Sequence, residues 1–227
     1  YKQDYQVEDI LNGQWSKTAV EKVKAAPFDE HLSVISLLNG RLSELFTECY
    51  RMDSCVSKLY EYLICYRENQ STMLMDDVRR LAEADLEEQR KAELLTREQE
   101  RTMLRVIELL EKFSRELKGE IFIGDSAFDE VRAMFARETD ELEKMTSHVS
   151  EVLENVFRFL EEAFGESQEM VAFVTELNAN YYSTWFIKEN GCDLYYRYNK
   201  GLLFDERQQD ILRQMDEAEE MLNTGIR

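Results

Sequence analysis

The chain has 227 residues, with 47 acidic and 28 basic side chains and a net charge of −19 at neutral pH. Nucleic acids and anionic membranes attract clustered Lys and Arg, so this balance argues against direct binding to either. Hydrophobic residues make up 44% of the chain, enough for a packed core, and a single proline with only eight glycines favours long helices over β-structure.

The first two predicted helices differ in length and regularity. The first covers residues 4–24 and ends at the Ala-Ala-Pro sequence of residues 25–27. The second covers residues 30–68, where two columns of apolar residues recur every seven positions: Ile35, Leu42, Cys49, Val56 and Leu63, and Leu38, Leu45, Met52, Leu59 and Tyr66. Such heptads predict a long helix packed along a seam at coiled-coil angles.

Another long helix is predicted over residues 72–118, apolar at both ends and polar between Glu83 and Gln99. A helix that is polar on all sides at its centre projects into solvent or bridges two packed ends. We therefore expect its centre to be poorly packed. In an alternative register the centre packs through Leu86, Leu94, Leu95 and Met103.

The third long helix is predicted over residues 127–164, again with heptad columns, in which Glu138 is the exception, and Gly165 ends it. Three long helices joined by short turns predict an all-α fold, an elongated antiparallel helical bundle. We expect a single elongated domain over residues 1–227, with the three long helices in 30–164 and a compact aromatic C-terminal helical region in 167–223.

That C-terminal region contains five of the eleven tyrosines, all between residues 172 and 212. Asn190 and Gly191 predict a helix end, Asp193 is the predicted N-cap of a short helix to Tyr198, and a last helix is predicted from about Leu203 to Leu222. Apolar residues recur at helical spacing from Met170 onward, which predicts that one face of this segment is buried. That face consists of Met170, Phe173, Val174, Leu177, Tyr181 and Trp185.

The same spacing separates buried from exposed aromatic residues. Tyr181, Trp185 and Tyr198 are expected in the core. Tyr182, Phe186 and Tyr196 are expected to be partly exposed, and they are the candidate partner-binding residues. Exposed apolar side chains that cluster on a surface are typical of binding sites.

The sequence predicts no catalytic, cofactor-binding or metal-binding residue. Gly124-Asp125-Ser126 is the one stretch that resembles a catalytic signature. A nucleophilic serine needs an activating histidine that an aspartate orients, and neither His31 nor His148 occurs in an Asp-x-x-His pattern. The four cysteines form no Cys-x-x-Cys pair, which argues against zinc. No apolar run approaches the ~20 residues of a membrane span. A reducing, cytoplasmic location is expected.

These patterns favour a non-enzymatic, acidic helical module that mediates protein–protein interaction. The negative charge favours a basic partner, and the heptad surface leaves a homodimer open. The chain starts at Tyr1 without a methionine, so it can be a fragment or a subunit of a larger assembly. Two alternatives stand beside this hypothesis: an acidic mimic of nucleic acid that inhibits a basic protein, and an enzyme with an unrecognised site near the aromatic region.

Overall fold

The structure is a computed structural model that describes residues 2–69, 72–93, 95–120, 126–199 and 206–225. These residues form ten α-helices and no strand, which confirms the predicted all-α class. The helices are α1 (Lys2–Leu11), α2 (Lys17–Ala25), α3 (Phe28–Asn69), α4 (Thr72–Lys91), α5 (Arg97–Leu117), α6 (Ser126–Phe164), α7 (Gln168–Asn178), α8 (Tyr181–Asn190), α9 (Asp193–Tyr198) and α10 (Glu206–Gly225). In this part of the chain, no helix combines the length and apolar character that a membrane span requires.

The chain divides into two compact units. Unit 1 contains residues 1–46 and 148–227, and unit 2 contains residues 47–147. The long helices α3 and α6 therefore contribute residues to both units.

In unit 1, α7 and α8 run parallel to the first half of α3. Four contacts set this direction: His31 with Glu169, Asn39 with Phe173, Ser43 with Asn180, and Phe46 with Phe186. The residue numbers rise together along both partners. The side chains of Phe157, Phe159, Phe173 and Phe186 are fully buried in this unit, so its interior is rich in aromatic rings.

Unit 2 packs helices in antiparallel pairs. Cys49 lies 3.7 Å from Thr146 (Sγ to Oγ1), while the rings of Tyr60 and Phe135 are 5.8 Å apart, so α3 and α6 run in opposite directions there. The core of unit 2 combines residues of all four of its helices: Cys55, Leu59, Val78, Ala82, Leu86, Met103, Val106, Leu109, Leu110, Phe113, Val131 and Met134.

Two of the three long predicted helices are confirmed. The predicted helices 30–68 and 127–164 correspond to α3 and α6, and α6 ends before Gly165 as expected. Within the heptad columns of α3, Ile35, Leu38, Leu42, Cys49 and Leu59 are buried, while Leu45, Met52 and Val56 are only half-buried.

The prediction of one helix over residues 4–24 is wrong, because the chain turns between α1 and α2. Gly13 has a φ of +72° and lies beside Asn155, whose amide Oδ1 would be 2.9 Å from an added Cβ. Ser16 then caps α2 by accepting a hydrogen bond from the backbone N–H of Ala19 (3.1 Å). This turn needs glycine both for its backbone angle and for the space.

The prediction of one helix over residues 72–118 is also wrong, because α4 and α5 form an antiparallel helical hairpin. Glu93 takes a left-handed backbone with a φ of +54°. Thr96 and Gln99 then form a reciprocal capping box that starts α5, at 3.1 and 3.2 Å. At the open end of the hairpin, the Ser114 hydroxyl donates to the Asp76 carboxylate (Oγ to Oδ1, 2.6 Å).

The polar centre expected within residues 83–99 contains the end of α4, the turn that follows Lys91 and the start of α5, rather than the middle of one helix. The alternative register is closer to the structure, because Leu86 and Met103 are buried in the core of unit 2 and Leu95 packs against it. Leu94 lies outside the described residues.

Candidate partner-binding surface

Asn180 fixes the start of α8 and anchors it to α3. Its backbone is extended (φ −101°, ψ 121°), and its side-chain Oδ1 accepts hydrogen bonds from the backbone N–H groups of Tyr182 (2.9 Å) and Ser183 (3.4 Å). The amide Nδ2 of the same side chain donates to Ser43 Oγ at 2.6 Å. One side chain thus begins the helix and positions it against its neighbour.

The break at Asn180 changes which aromatic residues of α8 are exposed. In one continuous helix, Leu177, Tyr181 and Trp185 would share a face. The extended residue resets the helical phase, so the buried residues of α8 are Ser183, Phe186 and Ile187. Tyr181, expected in the core, is instead 66% exposed.

Phe186 is the candidate residue that the structure contradicts. Its side chain is fully buried, with its ring centroid 5.1 Å from that of Phe46. It forms part of the core that holds α8 on α3 and presents no surface to a partner. Tyr182, expected to be partly exposed, is half-buried, in agreement with the prediction. Trp185, expected in the core, is also only half-buried.

The second set of rings belongs to α9, which begins one residue earlier than predicted, with Cys192 rather than Asp193 at the N-cap. Tyr198 is buried as expected and stacks on Phe157, with centroids 6.1 Å apart. Tyr195 donates its hydroxyl hydrogen bond to Asn178 Oδ1 at 2.7 Å. These contacts hold the short helix in place.

Tyr196 remains 41% exposed between these two anchors. Its hydroxyl lies 3.5 Å from the carbonyl oxygen of Ile187, so it rests against the last turns of α8. We call Tyr181, Tyr182, Trp185 and Tyr196 the aromatic surface. Because Tyr196 contacts Ile187, Tyr181 and Tyr196 lie toward opposite ends of α8. Tyr181 and Ile187 are six residues apart, which is about 9 Å along the helix axis at ~1.5 Å per residue.

Burial keeps the anchoring tyrosines protonated. It raises the pKa of Tyr195, and burial together with the carboxylate of Glu161 raises the pKa of Tyr198 to about 12. Both hydroxyls therefore remain hydrogen-bond donors at neutral pH. The support of the aromatic surface is insensitive to pH changes near 7.

The charge next to the aromatic surface is negative. Burial raises the pKa of the Cys192 thiol, and the nearby carboxylates of Glu154 and Asp193 raise it further, which places both charges beside the start of α9. Glu189 is exposed on the last turn of α8.

The two cations of these helices are engaged with carboxylates. Lys188 lies 4.0 Å from Glu219 (Nζ to Oε1), and Arg197 lies 3.5 Å from Glu161 (Nη1 to Oε1). Among the described residues, neither cation forms an ion pair with Glu154, Glu189 or Asp193.

A polar hollow of about 680 Å³ also lies in unit 1, beside the turn between α1 and α2. Trp15 donates its indole N–H to Glu162 at 2.9 Å, and Asn155 donates its amide to the carbonyl of Leu11 at 3.0 Å. Arg158 in turn donates to Asn155 Oδ1 at 2.6 Å. Most polar groups of the hollow thus hold the turn between α1 and α2 against α6.

His31, one of the two histidines of the chain, has a structural partner at each ring nitrogen. His31 donates from Nε2 to the carbonyl oxygen of Val23 at 2.8 Å, and its Nδ1 lies 3.1 Å from Glu169 Oε1. Among the described residues, no three His, Cys, Asp or Glu side chains are placed to hold a metal ion. Gly124 and Asp125 lie outside the described residues, and Ser126 begins α6.

Comparison with protein-family models, with curated proteins and with solved structures finds no match to this chain. Support for a function therefore comes from the geometry of the molecule itself.

Proposed function

We propose that this chain is a non-enzymatic, acidic helical module that mediates protein–protein interaction through the aromatic surface, as a fragment or subunit of a larger assembly. The observation that carries the proposal is the exposure of Tyr181 and Tyr196, at 66% and 41%, on helices that Phe186 and Tyr198 hold in the core. Aromatic residues are enriched in protein interfaces and rank among their strongest contributors.

The rigid support of these rings favours this function. Tyr181 and Tyr182 meet edge to face with centroids 5.5 Å apart, directly after the Asn180 cap. Tyr196 follows Tyr195, whose hydroxyl bond to Asn178 fixes the short helix. A preorganised ring loses little conformational entropy when a partner binds, so more of the contact energy remains as affinity.

The cysteines support a location in the cytoplasm, which is part of the proposal. Cys49, Cys55 and Cys192 are buried free thiols. Burial raises the pKa of all three thiols, to about 12 for Cys55, so they carry little of the reactive thiolate at neutral pH. Free thiols are the usual state of cysteines in a reducing compartment.

The test is a pull-down from the native cell with the tagged chain and two variants. Tyr181→Ser/Tyr196→Ser removes the two most exposed rings of the aromatic surface. Tyr60→Ser is the matched control, because Tyr60 is a 55% exposed tyrosine in unit 2. Thermal melts first establish that both variants are folded.

We expect the double variant to capture at least about tenfold less partner than the parent chain does. A tenfold loss corresponds to ~1.4 kcal/mol of binding free energy, a typical cost of removing strong interface residues. The control should capture nearly as much partner as the parent. Equal capture by the parent and a folded double variant would rule out the aromatic surface as the site of contact.

A further inference from the structure

We propose that the occupant of the aromatic surface is a basic protein segment, one that carries Lys or Arg beside apolar side chains. This inference rests on the proposed function and adds the chemistry of the partner. It follows from two features that occur together: exposed tyrosine rings, and nearby carboxylates that form no ion pair within the described part of the chain.

The first feature is the set of ring faces. A guanidinium or ammonium group over the face of a tyrosine or tryptophan is attracted by the negative charge density of the ring. The chain already makes such a contact, because the guanidinium carbon of Arg197 lies 5.6 Å from the ring centroid of Tyr198. Tyr181 offers a more exposed ring of the same kind.

The second feature is the negative charge that borders the rings. Asp193 begins α9 three residues before Tyr196, so the two side chains are neighbours on that helix. Glu154 lies near Cys192, the N-cap of the same helix, and its charge raises the pKa of that thiol after the larger effect of burial. Glu189 is exposed on the helix that carries Tyr181. The cations Lys188 and Arg197 are directed to Glu219 and Glu161.

Together these features select the partner. An acidic segment would meet three carboxylates, and like charges that face each other across an interface disfavour binding. A neutral apolar segment would use the rings and leave the charges without a role. A basic segment with apolar neighbours uses both, and its charge attracts it to a chain of net charge −19 before contact.

The experiment selects binding segments from a display library of random 16-residue peptides. The full chain is immobilised, and the folded Tyr181→Ser/Tyr196→Ser variant serves for counter-selection. We expect the retained peptides to be enriched in Lys and Arg and depleted in Asp and Glu. Enrichment of neutral or acidic peptides would overturn the inference, and so would a selection that retains nothing beyond the counter-selected background.

The affinity of the most enriched peptide is then measured by fluorescence anisotropy with two charge variants. Glu154→Gln/Glu189→Gln/Asp193→Asn removes the charges at the aromatic surface. The control variant removes three exposed carboxylates of unit 2 and therefore has the same net charge: Glu88→Gln, Glu111→Gln and Glu143→Gln.

We expect the first variant to weaken binding at least about fivefold, because it removes three exposed charges that a basic peptide would meet, and the control to change binding less than about twofold. Equal losses in both variants would mean general attraction to an acidic chain, which contradicts a basic site at the rings.

The two proposals can fail separately. Peptides that depend on Tyr181 and Tyr196 but not on charge leave the interaction surface standing and remove only the basic partner. A pull-down that is insensitive to the tyrosine substitutions removes the interaction surface itself.

Discussion

Gly13 is the residue at which backbone angle and packing most clearly require one amino acid. A Cβ at this position would meet the Asn155 side chain at 2.9 Å, and the φ of +72° is itself unfavourable for other residues. Gly40 is the natural control, because it lies within α3 in the same unit and an added Cβ would have no atom within 4 Å.

We predict opposite effects for alanine at these two glycines. Gly13→Ala should lower the free energy of unfolding of unit 1 by about 1–3 kcal/mol, and Gly40→Ala should raise it by about 0.4–1 kcal/mol. Urea unfolding followed by tryptophan fluorescence measures both, because Trp15 and Trp185 both belong to unit 1. A stabilising Gly13→Ala would mean that the turn relaxes freely.

Glu169 gives unit 1 a predictable response to acid. Burial opposes ionisation of its carboxyl group, but hydrogen bonds that include the one from His31 outweigh burial, and the pKa is lowered from about 4.5. A lowered carboxyl pKa adds stability above the unfolded value, and that stability is lost as the pH falls through the folded value.

Glu169→Gln should therefore destabilise unit 1 at pH 7, and the difference from the parent should shrink as the pH falls below about 4.5. Glu166→Gln serves as the control, because Glu166 is exposed near the same helix start. Urea midpoints between pH 3 and pH 7 measure the effect. Parallel curves for the two variants would contradict the stabilising role of the half-buried Glu169 carboxylate.

At the scale of the element, helix ends depend on single capping residues. The apolar period predicted α3 and α6 to within two residues at each end, because no glycine turn or proline interrupts those stretches. The breaks before α2, α5 and α8 come from Ser16, Thr96 and Asn180, whose side chains accept hydrogen bonds from the first turn. Ser, Thr and Asn also occur within helices, so the apolar period alone did not predict these helix starts.

The candidate site shows the consequence of one missed cap. The exposure of Tyr196 and the burial of Tyr198 were predictable, because α9 is short and regular. Tyr181 was expected in the core but is exposed, and Phe186 was expected to be partly exposed but is buried, because Asn180 resets the helical phase. The Asn180 side chain also bonds to Ser43, which lies 137 positions away in the sequence, and this bond positions α8 against α3. The sequence of α8 alone does not contain this information.

In α6, Glu138 stands where the apolar column would place a core residue, and its side chain is only 14% exposed. Burial raises the pKa of this carboxyl group, which the nearby Arg137 only partly offsets. A raised carboxyl pKa gives stability at low pH that is lost as the pH rises through the folded value. Ionised Glu138 therefore costs stability at neutral pH.

We expect Glu138→Gln to raise the melting temperature of the chain at pH 7 and to leave it nearly unchanged at pH 4, where the parent side chain is also protonated. Glu143→Gln, an exposed change on the same helix, should have little effect at either pH. Circular dichroism at 222 nm follows both. A destabilising Glu138→Gln at pH 7 would mean that the carboxylate has a favourable partner.

For the whole molecule, net charge predicts the state of association. Two chains of −19 repel each other, and the repulsion is strongest at low ionic strength. We expect sedimentation velocity at 0.01 M salt, where the Debye length is about 30 Å, to show a monomer across a hundredfold range of concentration. A dimer that persists under these conditions would point to a homodimer held by apolar contacts.

The central claim is that the aromatic surface is where this chain meets a protein partner. The most direct measurement places a photo-crosslinking amino acid at position 181 or 196 in the native cell. Positions 60 and 81 of unit 2 serve as controls, because Tyr60 and Leu81 are 55% and 59% exposed. We predict one defined cross-linked product from positions 181 and 196 and none of that mass from the controls. Equal products from all four positions, or none from 181 and 196, would contradict the claim.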